Sequence, residues 1–182
     1  MVETTRDSIL GGRVTIFQPT RGFRVAIDPV LLAAASPAGP GEAVLDVGSG
    51  SGAASLALVF RCDDVSVTGL EVQDYLVKLA WDGAKENGLN GRVRFLEGDL
   101  LEPPEELSPG GFDHVMANPP YFPAGKGNLP QDSSKLIATV EGPATLADWL
   151  GFLLTRVRDG GTITIIHRYD RSKEVIAVLR RI

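Results

Sequence analysis

From residue 43 onward, short apolar runs alternate with amphipathic stretches of helical period, and this alternation restricts the fold more than any other property of the chain. AVLDVG (Ala43 to Gly48), VSVTGLE (Val65 to Glu71), RVRFLEGD (Arg92 to Asp99), FDHVMAN (Phe112 to Asn118) and TITIIHR (Thr162 to Arg168) read as strands. AVLDVG is apolar enough for burial on both faces. Between them GAASLALVFRC, DYLVKLAWDGAKENG and TLADWLGFLLTRVRDGG read as helices, the second stopped by Asn87-Gly88 and the third by Gly160-Gly161. A further helix begins at Ser172. The alternation predicts an α/β architecture: a mostly parallel central sheet, helices on both faces, and a ligand crevice beyond the carboxyl ends of the strands. Residues 1–42 precede it as an extension, with a short strand at Val14 to Phe17 and a helix running from Asp28 as N-cap through Pro29 to Ala35. A loop rich in Pro, Gly and Ser is expected from Pro119 to about Pro143.

The length of 182 residues suits one domain with a substantial core: the extension at 1–42 and the core at 43–182. No apolar run approaches the roughly 20 residues that cross a bilayer, and the first ten residues carry acids but no apolar signal core. Cys62 is the only cysteine, which rules out an intrachain disulfide and fits the cytoplasm. With one Cys and two separated histidines, His114 and His167, no metal site is expected. A net charge of −5 argues against broad nonspecific binding to nucleic acid and leaves room for a nucleic acid held by a local patch.

The segment LDVGSGSGAASLAL is a strand, a turn carrying Gly48, Gly50 and Gly52, and a helix. Glycines let the backbone turn sharply and approach a ligand with no side chain between. Their G-x-G-x-G spacing differs from the dinucleotide pattern. Asp46 sits inside the first core strand, where a carboxylate is costly unless it has partners. Glu71 ends the second strand and could accept both hydroxyls of a ribose. Asp99 ends the third, where its carboxylate or a neighbouring amide could meet an adenine edge. Three acids at three consecutive strand ends, behind a glycine-rich turn, form one pattern.

That pattern, D-x-G-x-G-x-G followed by Glu and then Asp at the next strand ends, resembles the S-adenosylmethionine-dependent methyltransferases of Rossmann-like fold. The resemblance covers residues 43–182. It implies that Gly48, Gly50 and Gly52 border the methionine moiety of S-adenosyl-L-methionine, that Glu71 holds the ribose hydroxyls, and that Asp99 with Leu100 faces the adenine. It also implies seven strands, so a chain whose last recognisable strand is the fifth lacks the final pair. Such a sheet has an exposed edge that favours association with a second copy.

Asn118-Pro119-Pro120-Tyr121 matches the N-P-P-Y motif of methyltransferases that act on planar amino groups: the N6 of adenine, the N2 of guanine in rRNA, or a glutamine amide of a protein. In that fold the fourth strand lies beside the first, which puts Asn118 next to the cofactor's methyl group. The Asn118 amide oxygen and the Pro119 carbonyl can accept the two N–H groups of a weakly nucleophilic amino nitrogen. Pro120 helps fix the backbone, and Tyr121 can stack on the flat target.

A narrower resemblance follows from QPTRGFRVAIDPVLLAA (Gln18 to Ala34), NPPYF, FPAGKGN, LADWLGFL and GGTITIIHR. Together they look like the bacterial family that N6-methylates an adenine beside the anticodon of valine tRNA, which makes tRNA the expected partner. It implies that Arg24 and Asp28 lie near the cofactor or target. A salt-bridged packing role for Arg24 and a plain cap for Asp28 are the alternatives. Phe122 either extends the stacking surface or packs under the loop, and Lys126 either meets a phosphate or is solvated. A non-catalytic module that binds the cofactor and docks a partner is the remaining alternative.

Overall fold

A computed structural model of the chain describes residues 2–22, 24–123 and 133–180, with backbone only at 133–135. Its centre is a five-stranded parallel sheet in the order β5-β4-β3-β6-β7. The strands are β3 (Ala43–Val47), β4 (Ser66–Glu71), β5 (Val93–Glu97), β6 (Phe112–Ala117) and β7 (Val157–Ile165). Between β3, β4 and β5 run α2 (Ala53–Arg61) and α3 (Asp74–Glu86); α5 (Leu146–Arg156) leads into β7 and α6 (Ser172–Leu179) follows it. The α/β reading of the sequence therefore holds. All five expected core strands are present, and α3 stops at Asn87-Gly88, where Gly88 takes a φ of 67°.

Alternation along the strands divides the core between two faces. Val44, Val67 and Met116 face the helices α2 and α3, while Leu45, Val115 and Ala117 pack with Leu146, Leu150 and Leu153 of α5. Helix α5 begins at a reciprocal cap, in which the Asp148 N–H donates to the Thr145 hydroxyl and the Thr145 N–H to the Asp148 carboxylate. Register sets the site: Val47 of β3 lies opposite Ala117 of β6 and Leu70 of β4, so the residues after all three strands emerge side by side.

Four details depart from the sequence reading. A strand β1 (Thr4–Ile9) pairs antiparallel with β2 (Val14–Pro19), where only the second was expected. Asp28 is not an N-cap: it is the first residue of α1 (Asp28–Ala35), Ile27 holds the cap position, and no side chain caps the helix. A helix α4 (Ser133–Thr139) lies within the stretch expected to be loop. Finally, α5 ends at Arg156 rather than at the glycines. The chain enters β7 at once, and Gly160 and Gly161 sit inside a register irregularity opposite Asp113. There Gly160 has a φ of 75°, and a side chain on Gly161 would come within 2.4 Å of the Asp113 carbonyl. Glycine is needed here for a bulge, not a helix stop.

The hairpin packs outside the sheet, with Val14 and Ile16 buried against α2 and α3. Each is worth about 1.5–3 kcal/mol relative to exposure. Asn87 ties the two layers together by accepting the Thr15 N–H at 2.9 Å and donating to the Thr15 carbonyl at 2.7 Å. Helix α1 lies along α2. No helix among the described residues is long and apolar enough to cross a membrane.

Candidate active site

The β3–α2 turn is shaped by its neighbours. Gly48 and Ser49 both donate their N–H groups to the Leu70 carbonyl, at 2.8 and 3.0 Å, which locks the turn to the end of β4. Gly48 has a φ of 72°, and a Cβ there would lie 2.7 Å from the Trp149 ring of α5. Gly48→Ala thus adds left-handed strain to a clash with a packed ring. The expected loss is about 2–4 kcal/mol, read as a lowered midpoint in urea denaturation. Gly50 has a φ of 57° and open space where its side chain would be.

Glu71 is 6% exposed and accepts the Gly50 N–H on one carboxylate oxygen and the Gln73 N–H on the other, each at 2.9 Å. Burial pushes its pKa up, and hydrogen bonds from the Gln73 and Gly50 N–H groups, the Gln73 side chain and the Val72 N–H pull it part of the way back. Asp46, 2% exposed, accepts the Ser55 hydroxyl at 2.6 Å. Burial raises it to about 6 despite that bond.

The elevation of Asp46 has a measurable consequence. An acid that binds its proton more tightly when folded adds stability at low pH, and this is lost as the pH rises from its ordinary value of 3.8 to about 6. Over that window wild type should lose on the order of 3 kcal/mol relative to Asp46→Asn, at about 1.4 kcal/mol per pH unit. Urea denaturation of both proteins between pH 4 and pH 7 checks this; parallel curves would show that Asp46 does not titrate there.

These groups open on one cavity of about 390 Å³ beyond the carboxyl ends of β3, β4 and β6. Of the residues singled out in the sequence, Asp46, Gly48, Gly50, Glu71, Asp99 and Leu100 line it, together with Asn118 and Pro120. Gly52 does not: it packs behind the turn, where a Cβ would meet the Phe95 ring at 2.8 Å. Asp99 lies two residues beyond the end of β5 and accepts the Leu101 N–H.

Asn118 follows β6 directly, and its Oδ1 is buried without a hydrogen-bond partner among the described residues. A buried acceptor left unpaired costs about 1–3 kcal/mol, a cost that a donor from a ligand or a water would remove. Pro119 is buried beside it and does not line the cavity. The half-buried Tyr121 hydroxyl is pushed up to about 12, chiefly by burial and by the Asp28 carboxylate, while hydrogen bonding to Asn118 pulls the other way. Asp28 therefore stands at the edge of the N-P-P-Y turn. Arg24 does not line the cavity: its guanidinium binds Asp7, the Thr5 hydroxyl and the Pro19 carbonyl, within 3.0 Å each. Phe122 is 40% exposed, with the Arg168 guanidinium 4.8 Å from its ring centroid. Lys126 lies outside the described residues.

Residues not anticipated from the sequence complete the walls. Trp149 comes from α5, and Val25, Pro29 and Leu32 come from the N-terminal extension. Val25 is held by Gln18, whose amide oxygen accepts the Val25 N–H at 2.8 Å. The apolar face of α5 was legible, but nothing local in sequence ties Trp149 to Gly48. Among the described residues no cluster of His, Cys, Asp and Glu could hold a metal ion.

The chain is 30% identical over 146 residues to a release factor glutamine methyltransferase of Bordetella pertussis, spanning 76% of this chain and 52% of that protein. It is 26% identical over 162 residues to a tRNA1(Val) (adenine(37)-N6)-methyltransferase of Haemophilus influenzae, spanning 88% of this chain and 68% of that protein. The chain thus covers about half the length of the first relative. Among solved structures, precorrin-6y C5,15-methyltransferase of Geobacter metallireducens superposes with a TM-score of 0.65 at 12% identity, covering 91% of this chain and 76% of that one, a likeness of fold. Residues 27–141 match one family throughout the turn, the acids and the N-P-P-Y segment: the chain belongs to the methyltransferase small domain family.

Proposed function

We propose that the protein is an S-adenosylmethionine-dependent N-methyltransferase whose target is an amino group on a planar acceptor, the N6 of an adenine in tRNA. The single observation that carries the reaction class is the buried, unpartnered Oδ1 of Asn118, at the wall shared with the glycine-rich turn and Glu71.

The residues present fit the cofactor. Glu71 places a carboxylate at the cavity wall as the acceptor for ribose hydroxyls, the open space at Gly50 suits a close backbone approach, and Asp99 and Leu100 border the far end. S-adenosylmethionine, when bound, supplies an electrophilic methyl group on a sulfonium. The chain's own work is to present the nucleophile. Asn118 Oδ1 accepts an N–H group of the target, which turns the nitrogen lone pair toward the cofactor as positive charge develops on nitrogen. Tyr121, with its hydroxyl pushed up to about 12, stays protonated at neutral pH and serves as a neutral stacking ring, not a base. The proton leaves the nitrogen after transfer, and rate enhancement comes mainly from orientation.

The tRNA reading is supported by the Haemophilus influenzae match. An alignment of 162 residues is longer than the core from residue 43 onward, so it takes in part of the N-terminal extension. A cytoplasmic location accords with such a substrate. The second reading, methylation of a glutamine amide in a release factor, is supported by the higher identity of the Bordetella pertussis relative over a shorter stretch. Incubation with labelled S-adenosylmethionine and either total tRNA or a release factor separates the two. Label in N6-methyladenosine is expected, and label in glutamine alone overturns the tRNA assignment.

A further inference from the structure

Arg171, in the short turn between β7 and α6, is only 8% exposed although fully charged. Its Nε and Nη2 donate to the two carboxylate oxygens of Glu174, at 2.9 and 2.7 Å. Its Nη1 donates to Glu141 and also points at the Tyr121 carbonyl, 3.5 Å away. Glu141 in turn belongs to the piece of backbone that grips the chain after Tyr121. The Phe122 N–H donates to the Thr139 carbonyl at 2.9 Å, and the Glu141 N–H donates to the Phe122 carbonyl at 2.8 Å. The Tyr121 ring also lies against the His167 ring, with centroids 5.7 Å apart. A guanidinium is suited to this place, because its planar fork engages two carboxylates in fixed directions and cannot lose its charge.

We propose that Arg171 is a positioning residue for methyl transfer: it clamps the Asn118–Phe122 turn by joining the chain after β7 to Glu141 and the Tyr121 backbone. The proposal rests on the reading of that turn as the site that receives the amino group. Arg171 touches neither the cavity nor the reacting atoms, and acts through the backbone. Displacement of Asn118 by even a fraction of an ångström would spoil the alignment it provides.

Arg171→Lys keeps the charge and removes the fork, and Glu141→Gln removes the charge of one partner while keeping its shape. Hydrogen exchange read by NMR at the Phe122 and Glu141 amides should be roughly tenfold faster in both variants, with residues 43–61 unchanged. With labelled S-adenosylmethionine and total tRNA, kcat should fall about tenfold to a hundredfold, while the cofactor KM and the affinity for S-adenosylhomocysteine stay within about twofold. Unaltered exchange at the two amides overturns the clamp. Loosened amides with unaltered kcat overturn its role in transfer. Faster exchange throughout the β3–α2 segment, or loss of S-adenosylhomocysteine binding, would make Arg171 a general packing residue and overturn the proposal as well. A wild-type chain that labels neither tRNA nor a release factor overturns the reading of the turn, and the exchange measurement then judges the clamp by itself.

Discussion

Asn118→Ala should bind S-adenosylhomocysteine within about twofold of wild type and transfer methyl groups about a hundredfold to a thousandfold more slowly, the loss typical of removing one preorganised partner of a developing charge. The asymmetry follows from the state of its side chain. Oδ1 has no hydrogen-bond partner among the described residues, so its removal deletes an acceptor left for the target, and the only protein hydrogen bond lost among those residues is that of the Asn118 amide with the Tyr121 hydroxyl. Because that orphaned acceptor is itself unfavourable when buried, its removal offsets the lost hydrogen bond to Tyr121, and the variant should stay within about 1 kcal/mol of wild-type stability. A mutant that lost stability, cofactor affinity and transfer together would show that Asn118 is an architectural residue. Calorimetric titration with S-adenosylhomocysteine, a urea melt and a transfer assay on one preparation distinguish the outcomes.

Glu71 should behave in the opposite way. Its two oxygens fix the Gly50 and Gln73 amides, so Glu71→Ala strands two part-buried N–H groups at the wall of the cavity while removing the acceptor proposed for the ribose. A typical hydrogen bond contributes about 0.5–1.5 kcal/mol, so stability and cofactor affinity both suffer, with S-adenosylhomocysteine bound roughly tenfold to a hundredfold more weakly. Glu71→Gln should rescue little. An amide offers one oxygen where the site uses two, and its NH2 would face a backbone N–H. Affinity for S-adenosylhomocysteine within about twofold of wild type in Glu71→Gln would show that the cofactor is gripped elsewhere.

Much of the fold was legible because the core strands are short apolar runs with nowhere else to go. Val44, Leu45 and Val47 are all buried, and the hydrophobic pattern says so before any contact is known. Strand β1 escaped notice because TTRDSI has a single apolar residue; it exists by pairing with β2, not by burying a face. The boundary between α5 and β7 was displaced for a different reason. Glycine pairs mark helix ends and bulges alike, and only the Asp113 carbonyl 2.4 Å from a Cβ at Gly161 decides between them. In the site, the acids and glycines stood out because each follows a strand in a fixed pattern. Trp149 and Arg171 did not, since each acts on a residue far away in the chain: Trp149 on Gly48, and Arg171 on Glu141 and Tyr121. Arg24 illustrates the converse. It sits within a segment that suggests a ligand site, yet its guanidinium is used on the hairpin.

The hairpin has a further meaning. Gln18 donates to Asp7 at 2.9 Å and accepts from Val25, so the strand pair, Arg24 and one wall of the cavity are a single hydrogen-bonded unit. The boundary near residue 43, natural in composition and in strand–helix rhythm, is therefore not a seam along which the protein can be dissected. A fragment starting there would keep the glycine turn and the cavity-lining acids Asp46, Glu71 and Asp99, but it would lose Val25, Pro29 and Leu32 and bare the flank of α2. Segments that look like an appendage in the sequence supply an apolar wall of the cavity.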